Sequence, residues 1–445
     1  MKGRINLTQK QMDSLRDARK EFYVKIAKLK IIDLEANTRK DTLKSVSISG
    51  AHLTEVPEFL KECTQITSLF LSNNYFTSYP SFLSELKSLK YLNLSGNNIT
   101  EIPGFVFELE NLEKLNLSGN QIRKLSKELN QLPHLKEISL NGLDSQKKLK
   151  FKRNKYVEIV SIKSNNLKKL PWSIRKLENL ELLDLSKNDF TTIPNKISRL
   201  RNLKTLEISE NCILLDQVKF AKLNHIEKLQ LNKCDINFIP EELTGLTNLI
   251  SLQLAHNKIE EVPESIGNLK NLELLMLYKN LITELPESIY TLENLHTIDI
   301  YYNKISKISE SISNLNKLRI LYLSFNDLHS IPESIAELEN LEELYVHHNK
   351  LTELPAQIGR LKKLKVLYIN NNYFADFPQA ILSMERLIDL DMSSNDIRDI
   401  PLELTELADL KLVFIQKNPT NESSNEDSFQ QMIETFQQKG TRINY

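Results

Sequence analysis

Apolar residues in this chain recur in a frame of 23 positions. Leu249-x-x-Leu252-x-Leu254-x-x-Asn257-x-Ile259-x-x-Val262-Pro263-x-x-Ile266-x-x-Leu269 is followed at the same spacing by Leu272-x-x-Leu275-x-Leu277-x-x-Asn280-x-Ile282-x-x-Leu285-Pro286-x-x-Ile289-x-x-Leu292. The frame runs from Leu43 to Asn418 with 17 starts, the last incomplete. One polar position inside it holds Asn in 14 of the 17, the exceptions being Ala51, Leu143 and Cys234. Twelve of the fourteen prolines, from Pro57 to Pro401, share one position. Self-similarity at this period predicts stacked supersecondary units, not the several globular domains that 445 residues would otherwise suggest.

Each position has a physical job. Leu-x-Leu is a period-two strand with one side inward and the other on an open face. A single short strand cannot bury its apolar side, so neighbouring units must share a continuous core. A buried Asn can satisfy backbone groups in the turn after the strand and pass hydrogen bonds to the next unit. Val/Ile/Leu-Pro turns the chain, because Pro fixes φ and donates nothing to a ladder. The following Ile-x-x-Leu predicts one helical turn, and Glu-Ser-Ile after Pro263, Pro286 and Pro332 suits its start.

The frame predicts three regions: a helical cap over 1–42, the repeat array over 43–418, and a capping loop and helix over 419–445. From Leu7 to Leu34 an amphipathic helix is expected, with Leu15, Ala18, Phe22, Ile26 and Leu29 on one face. Beyond Asn418, the polar run Asn421 to Asp427 reads as a loop. A short helix then presents Phe429, Met432, Ile433 and Phe436 and stops near Gly440. Two stretches, 135–156 and 203–225, depart from the frame and should bulge or shift the curvature. In the first, Asn and Pro give way to a run that includes Lys147, Lys148, Lys150, Lys152, Arg153 and Lys155. In the second, Asp216-Gln217 replaces the apolar-Pro pair.

On these residues the chain resembles the typical 23-residue leucine-rich-repeat family, whose frame ends in Leu-Pro-x-x-Ile. Similar repeats occur in Ras-scaffold and LAP-type polarity proteins, in plant Ras-group-related proteins, and in bacterial proteins including those of pathogenic leptospires. The Lys-, Asn- and Ile-rich texture favours a bacterial member. The resemblance implies an α/β fold: a right-handed solenoid, or horseshoe, with a parallel concave β-sheet, short helical or 3-10 convex segments and helical caps. It also implies protein binding without catalysis.

Charge and chemistry add mainly exclusions. Fifty-eight basic residues balance 58 acidic ones, so no net field draws nucleic acid or an anionic membrane. No apolar run is long enough to span a bilayer. The basic start lacks an apolar segment behind it, which leads to the expectation of no signal peptide and a cytoplasmic location, with export by another route as the alternative. Cys63, Cys212 and Cys234, an odd and scattered set, do not make a disulfide framework. No Gly precedes a Lys, so a phosphate loop of the G-x-x-x-x-G-K type is missing, and no H-E-x-x-H or G-x-S-x-G occurs. No enzyme activity, cofactor or metal is expected. The neighbours His347 and His348 invite a metal reading, but successive strand residues point to opposite sides, which argues against chelation.

The strand column between the two leucines separates two halves. It reads Ser47, Phe70, Asn93, Asn116, Ser139, Ser161, Asp184, Glu207, Gln230 and Gln253, then Met276, Asp299, Tyr322, Tyr345, Tyr368, Asp391 and Phe414. Three tyrosines on successive strands predict a ladder spaced by about 4.8 Å. Tyr278, Tyr301, Tyr302, Phe325, His347 and Tyr373 flank it, and Lys258, Lys279, Lys304 and Lys350 are candidates for a basic rim. Tyrosines favour interfaces, and they also stabilise sheets without any ligand; both readings stand at this point. The leading expectation is a scaffold that holds a protein partner on this patch. The alternatives are a regulatory scaffold of a small GTPase or phosphatase, a bacterial factor binding host surface proteins, or contact with an acidic partner or anionic surface through the basic run. Nucleic acid is not expected, and a monomer is.

Overall fold

The computed structural model describes residues 9–37, 39–122, 124–143, 149–420 and 426–445. The chain forms two compact units, one of residues 1–190 with 196–207, the other of 191–195 with 208–445. Among the described residues the first unit carries a helix, α1 (Gln9–Ala36), and eight short strands. These are β1 (Ser45–Ser47), β2 (Ser68–Phe70), β3 (Tyr91–Asn93), β4 (Lys114–Asn116), β5 (Glu137–Ser139), β6 (Ile159–Ser161), β7 (Leu182–Asp184) and β8 (Thr205–Glu207). The second unit holds β9 (Lys228–Gln230), β10 (Ser251–Gln253), β11 (Leu274–Met276), β12 (Thr297–Asp299), β13 (Ile320–Tyr322), β14 (Glu343–Tyr345), β15 (Val366–Tyr368), β16 (Asp389–Asp391) and β17 (Leu412–Phe414). It ends with α2 (Glu426–Lys439) and β18 (Arg442–Asn444).

Within each unit the strands pair in parallel, and regular neighbours stand 23 residues apart, as Tyr322 with Tyr345 and Leu69 with Leu92. Each unit is thus a stack of parallel repeats, the solenoid architecture that the sequence implies. Strand leucines such as Leu252, Leu275 and Leu344 are fully buried, and so are the turn residues Ile266, Ile289 and Ile335. The proline position caps short 3-10 turns such as Glu264–Asn268 and Glu287–Thr291. Where Ser309 replaces Pro, its hydroxyl accepts from the N–H of Ser311, so the substitution supplies a cap of its own.

The buried asparagines tie the repeats together. Asn349 donates through Nδ2 to the carbonyls of Leu323 (3.0 Å) and Val346 (2.9 Å), and its Oδ1 accepts from the N–H of Leu328 at 3.1 Å. Asn97 does the same to Leu71, Leu94 and Phe76. The bonds to Val346 and Leu94 stay within the repeat, while the others run to the preceding one, the reverse of the direction the sequence suggested. Cys234 keeps only part of this pattern: its thiol lies 3.5 Å from the carbonyls of Ile208 and Asn232. A second asparagine ladder runs outside the frame considered above, with Asn111, Asn179, Asn271, Asn294 and Asn340 each donating to a carbonyl one repeat back.

The irregular stretches differ in kind. Leu149 and Phe151 are buried and Lys150 bridges in parallel to Lys124, so this part of the basic run follows the wall of the first unit instead of bulging away. Lys147 and Lys148 lie outside the described residues. At Asp216-Gln217 two short turns, Leu215–Gln217 and Phe220–Lys222, replace one.

The two helices also contrast. On α1, Phe22, Leu29 and Ile32 are exposed while Ile31 is buried, and a gap of about 700 Å³ opens beside it, lined by charges of both signs, Leu29, Ile32 and His52. Leu7 and the side chains of Leu15 and Ala18 lie outside the described part. Helix α2 buries Met432, Ile433 and Phe436 and leaves Phe429 half-buried, and Gly440 ends it at φ +76°, a conformation glycine adopts without strain. Residues 421–425 of the expected loop lie outside the described residues. Strand β18 was not anticipated; it pairs in parallel with β17, Ile443 opposite Val413. No helix among the described residues is long and apolar enough to cross a membrane.

Candidate protein-binding surface

In the first unit the open strand face is mainly polar, with Phe70 and Tyr91 meeting edge to face at 5.1 Å, and several of its side chains bond locally. Asn93 Oδ1 accepts from the N–H and hydroxyl of Ser95, and Asn116 Oδ1 from the N–H of Ser118. Asp184, 3% exposed, accepts from the N–H of Ser186 and is neutralised by Lys163 at 2.5 Å.

In the second unit the same face becomes aromatic. Tyr278, Tyr301, Tyr322, Tyr345, His347 and Tyr368, together with Asp299, surround a concavity of about 330 Å³. Strand register brings five repeats together here, since Asp299, Tyr322, Tyr345, Tyr368 and Asp391 are successive partners. Tyr322 and Tyr345 stack with ring centres 4.6 Å apart and planes at 13°. The expected ladder breaks at the next rung: Tyr345 and Tyr368 meet edge to face at 5.1 Å and 86°. Their hydroxyls explain the turn, with Tyr345 donating to Glu343 at 2.8 Å and Tyr368 to Asp389 at 2.9 Å.

A second row borders the first. Tyr302 stacks on Phe325 at 5.6 Å, and Phe325 on His348 at 3.8 Å and 11°. All three occupy one repeat position with positive φ, near +55°, outside the strands. The same geometry corrects the argument made for His347 and His348. They lie beyond β14, not on it, and their rings are 5.4 Å apart, so strand alternation does not separate them. His347 instead shares a 2.8 Å hydrogen bond through Nδ1 with Ser324 Oγ. Among the described residues no three His, Cys, Asp or Glu side chains gather to hold a metal ion.

Burial sets the electrostatics. It pushes the Asp299 carboxyl up to about 6, opposed by one hydrogen bond from the N–H of Tyr301. Burial also raises Asp389 and Asp391, against the bonds they accept from Tyr368 and Ser393. The phenols of Tyr345 and Tyr368 are raised first by burial and then by Glu343 and Asp389. His347 is pushed down to about 4 by burial, with His348 adding to the shift. At neutral pH the surface therefore presents neutral rings beside carboxylates.

Of the other sequence candidates, Tyr302 and Tyr373 are 49% and 58% exposed, Tyr302 within the second row and Tyr373 beyond it. Met276 and Phe414 are half-buried neighbours in register with Asp299 and Asp391. Of the lysines expected at a basic rim, Lys258 pairs with Asp235 (2.9 Å), Lys350 with Asp327 (2.7 Å), Lys279 lies over the Tyr302 ring at 5.7 Å, and Lys304 is exposed. In the basic run, Arg153 pairs with Glu178 at 2.5 Å, Lys155 lies over Tyr156 at 5.1 Å, and Lys152 is exposed. The carboxylates Asp299, Glu343 and Asp389 were missed as site residues. Glu343 and Asp389 stand two residues before the column's Tyr345 and Asp391, so period two already put them on the same face.

Family descriptions for leucine-rich repeats match along the chain: "Leucine rich repeat" at 87–144, 155–213, 248–305 and 270–328, "Leucine-rich repeat region" at 303–439, and "Leucine Rich repeats (2 copies)" at 64–107. No curated protein matches. Among solved structures, a leucine-rich-repeat protein of Leptospira interrogans is 25% identical, with 92% of this chain and 97% of that one covered and a TM-score of 0.57. The Toll–Spatzle complex of Drosophila (22% identity, 82% of this chain and 52% of that one, TM-score 0.61) is similar in fold. So is the TLR13–ssRNA13 complex (24% identity, 84% and 62%, TM-score 0.58). Repeat solenoids of this kind commonly serve as protein–protein interaction scaffolds and are generally non-catalytic. On its repeat frame, its asparagine ladder and these matches, the chain belongs to the leucine-rich-repeat family.

Proposed function

We propose that this chain is an interaction protein that docks a protein partner on the strand face of its second unit. One observation carries the reading: six aromatic rings from five successive repeats converge on a single concavity. Rings with a polar tip give large contact area at low entropic cost, which makes them frequent anchors of binding energy. Sheet stabilisation alone accounts less well for the pattern, because Tyr345 and Tyr368 direct their hydroxyls to carboxylates instead of completing a uniform stack. A bacterial protein is supported by the residue texture and by the end-to-end likeness to the leptospiral structure.

The test is affinity capture from lysate and from culture medium, read by mass spectrometry, with wild type beside Tyr322→Ala/Tyr345→Ala/Tyr368→Ala. Capture is expected to fall by at least about tenfold in the triple variant while its circular dichroism stays that of the wild type. Undiminished capture by a folded triple variant overturns the placement.

A further inference from the structure

We infer that the tyrosine-lined concavity of the second unit receives the guanidinium of an arginine side chain presented by the partner. The inference rests on the proposed binding face and gives its occupant a chemistry.

The first ground is charge. Of the residues lining the concavity none is a lysine or arginine, and one, Asp299, is a carboxylate only 9% exposed. Glu343 and Asp389 hold the tyrosine hydroxyls at its edge, and Asp391 follows Tyr368 in register. The first unit shows how this fold treats a buried carboxylate when it supplies its own cation: Asp184 has Lys163 at 2.5 Å. Asp299 accepts a backbone N–H from Tyr301 and makes no ion pair among the described residues. A buried carboxylate is costly without a cationic partner.

The second ground is independent of charge. Asp389 Oδ1 and Asn370 Oδ1, on the neighbouring strand and just beyond Tyr368, are buried and have no hydrogen-bond partner among the described residues. Both are oxygens that accept, so the deficit is of donors.

A guanidinium meets both needs. It carries five N–H donors and no acceptor, stays charged, and stacks on aromatic faces. The parallel pair Tyr322 and Tyr345 offers such a face next to Asp299. An aliphatic side chain would bury the carboxylates further with no compensation, and an acidic one would meet like charge.

The probe is the blocked peptide acetyl-Gly-Ser-Arg-Ser-Gly-amide, compared with its lysine, citrulline and leucine counterparts, by calorimetry and saturation-transfer NMR on the full chain. Citrulline keeps the planar shape and removes the charge. The arginine peptide is expected to bind at least about tenfold tighter than the other three, a difference of about 1.4 kcal/mol. Asp299→Asn/Asp389→Asn should reduce it to the citrulline level with unchanged circular dichroism. Three results overturn the inference: equal or tighter binding of any counterpart, arginine binding indifferent to the carboxylate variant, or no arginine binding up to about 10 mM. The two readings separate by variant. If the tyrosine triple variant loses the captured partner while the carboxylate variant keeps it, the arginine falls and the binding face stands. If both variants keep it, both readings fall.

Discussion

In the first unit Asn93 and Asn116 turn their side-chain carbonyls back onto the N–H groups of Ser95 and Ser118. The same strand position in the second unit holds Tyr322, Tyr345 and Tyr368, which have no acceptor that can reach back in this way. Asp299 and Asp391, on either side of the tyrosines, still make the local bond, to Tyr301 and Ser393. The frame is thus served well by Asn or Asp at this column, and three successive repeats forgo that closure for rings. The difference separates positions that hold the fold from positions free to do something else. Asn and Asp close the strand end with their own side chains, whereas Tyr345 and Tyr368 send their hydroxyls to Glu343 and Asp389, and on that contrast the proposed binding face rests.

The largest effects should be the ones both units share. Asn97→Ala in the first unit and Asn349→Ala in the second each remove an amide that serves two carbonyls and one N–H. Each should cost about 2–4 kcal/mol, since buried backbone groups are left unpaired, as read by urea denaturation. Costs that differ several-fold between the two sites would break the view of one frame under two faces.

A smaller effect of opposite sign belongs to the aromatic face. Because the folded pKa of Asp299 is raised to about 6, its ionised form opposes folding, so stability from this group falls as pH rises through roughly 4 to 6. Asp299→Asn should therefore stabilise the chain at pH 7 by about 1–3 kcal/mol, the gain vanishing below about pH 4. His347, lowered to about 4, acts the other way: it costs stability as pH falls from about 6.5 toward 4. The substitution should unmask that acid sensitivity. Thermal melts across pH 4–8 decide it, and a destabilised variant at pH 7 would show that Asp299 already has its counter-charge.

The smallest effect concerns Cys234, whose thiol makes 3.5 Å contacts where an asparagine amide stands in most repeats. Cys234→Asn should add about 0.5–1.5 kcal/mol by restoring two proper donors. A loss would mean that the ladder is not transferable between repeats.

The frame was legible because each of its positions answers to a single demand. A period-two leucine pair, a buried amide and a φ-fixing proline admit few substitutes. The column of tyrosines was legible for the same reason, since register in a parallel sheet repeats every 23 residues. Pairings between columns were harder. Lys258 with Asp235 and Lys350 with Asp327, each pair 23 apart at one repeat position, are by contrast readable down the frame. The turn of Tyr368 away from the stack depends on the reach of its hydroxyl to Asp389, which no spacing encodes. Strand β18 has only Ile443 as an apolar mark, and it forms because the open edge of β17 offers unpaired backbone groups.

Hydrogen–deuterium exchange of the full chain, free and saturated with its captured partner, tests the central claim most directly. The expected result is new protection at the strand ends and turns around residues 274–280, 297–303, 320–326, 343–349 and 366–372, with none over 91–97 and 114–120. Protection confined to the polar strands of the first unit, or to the turns opposite the sheet, contradicts it.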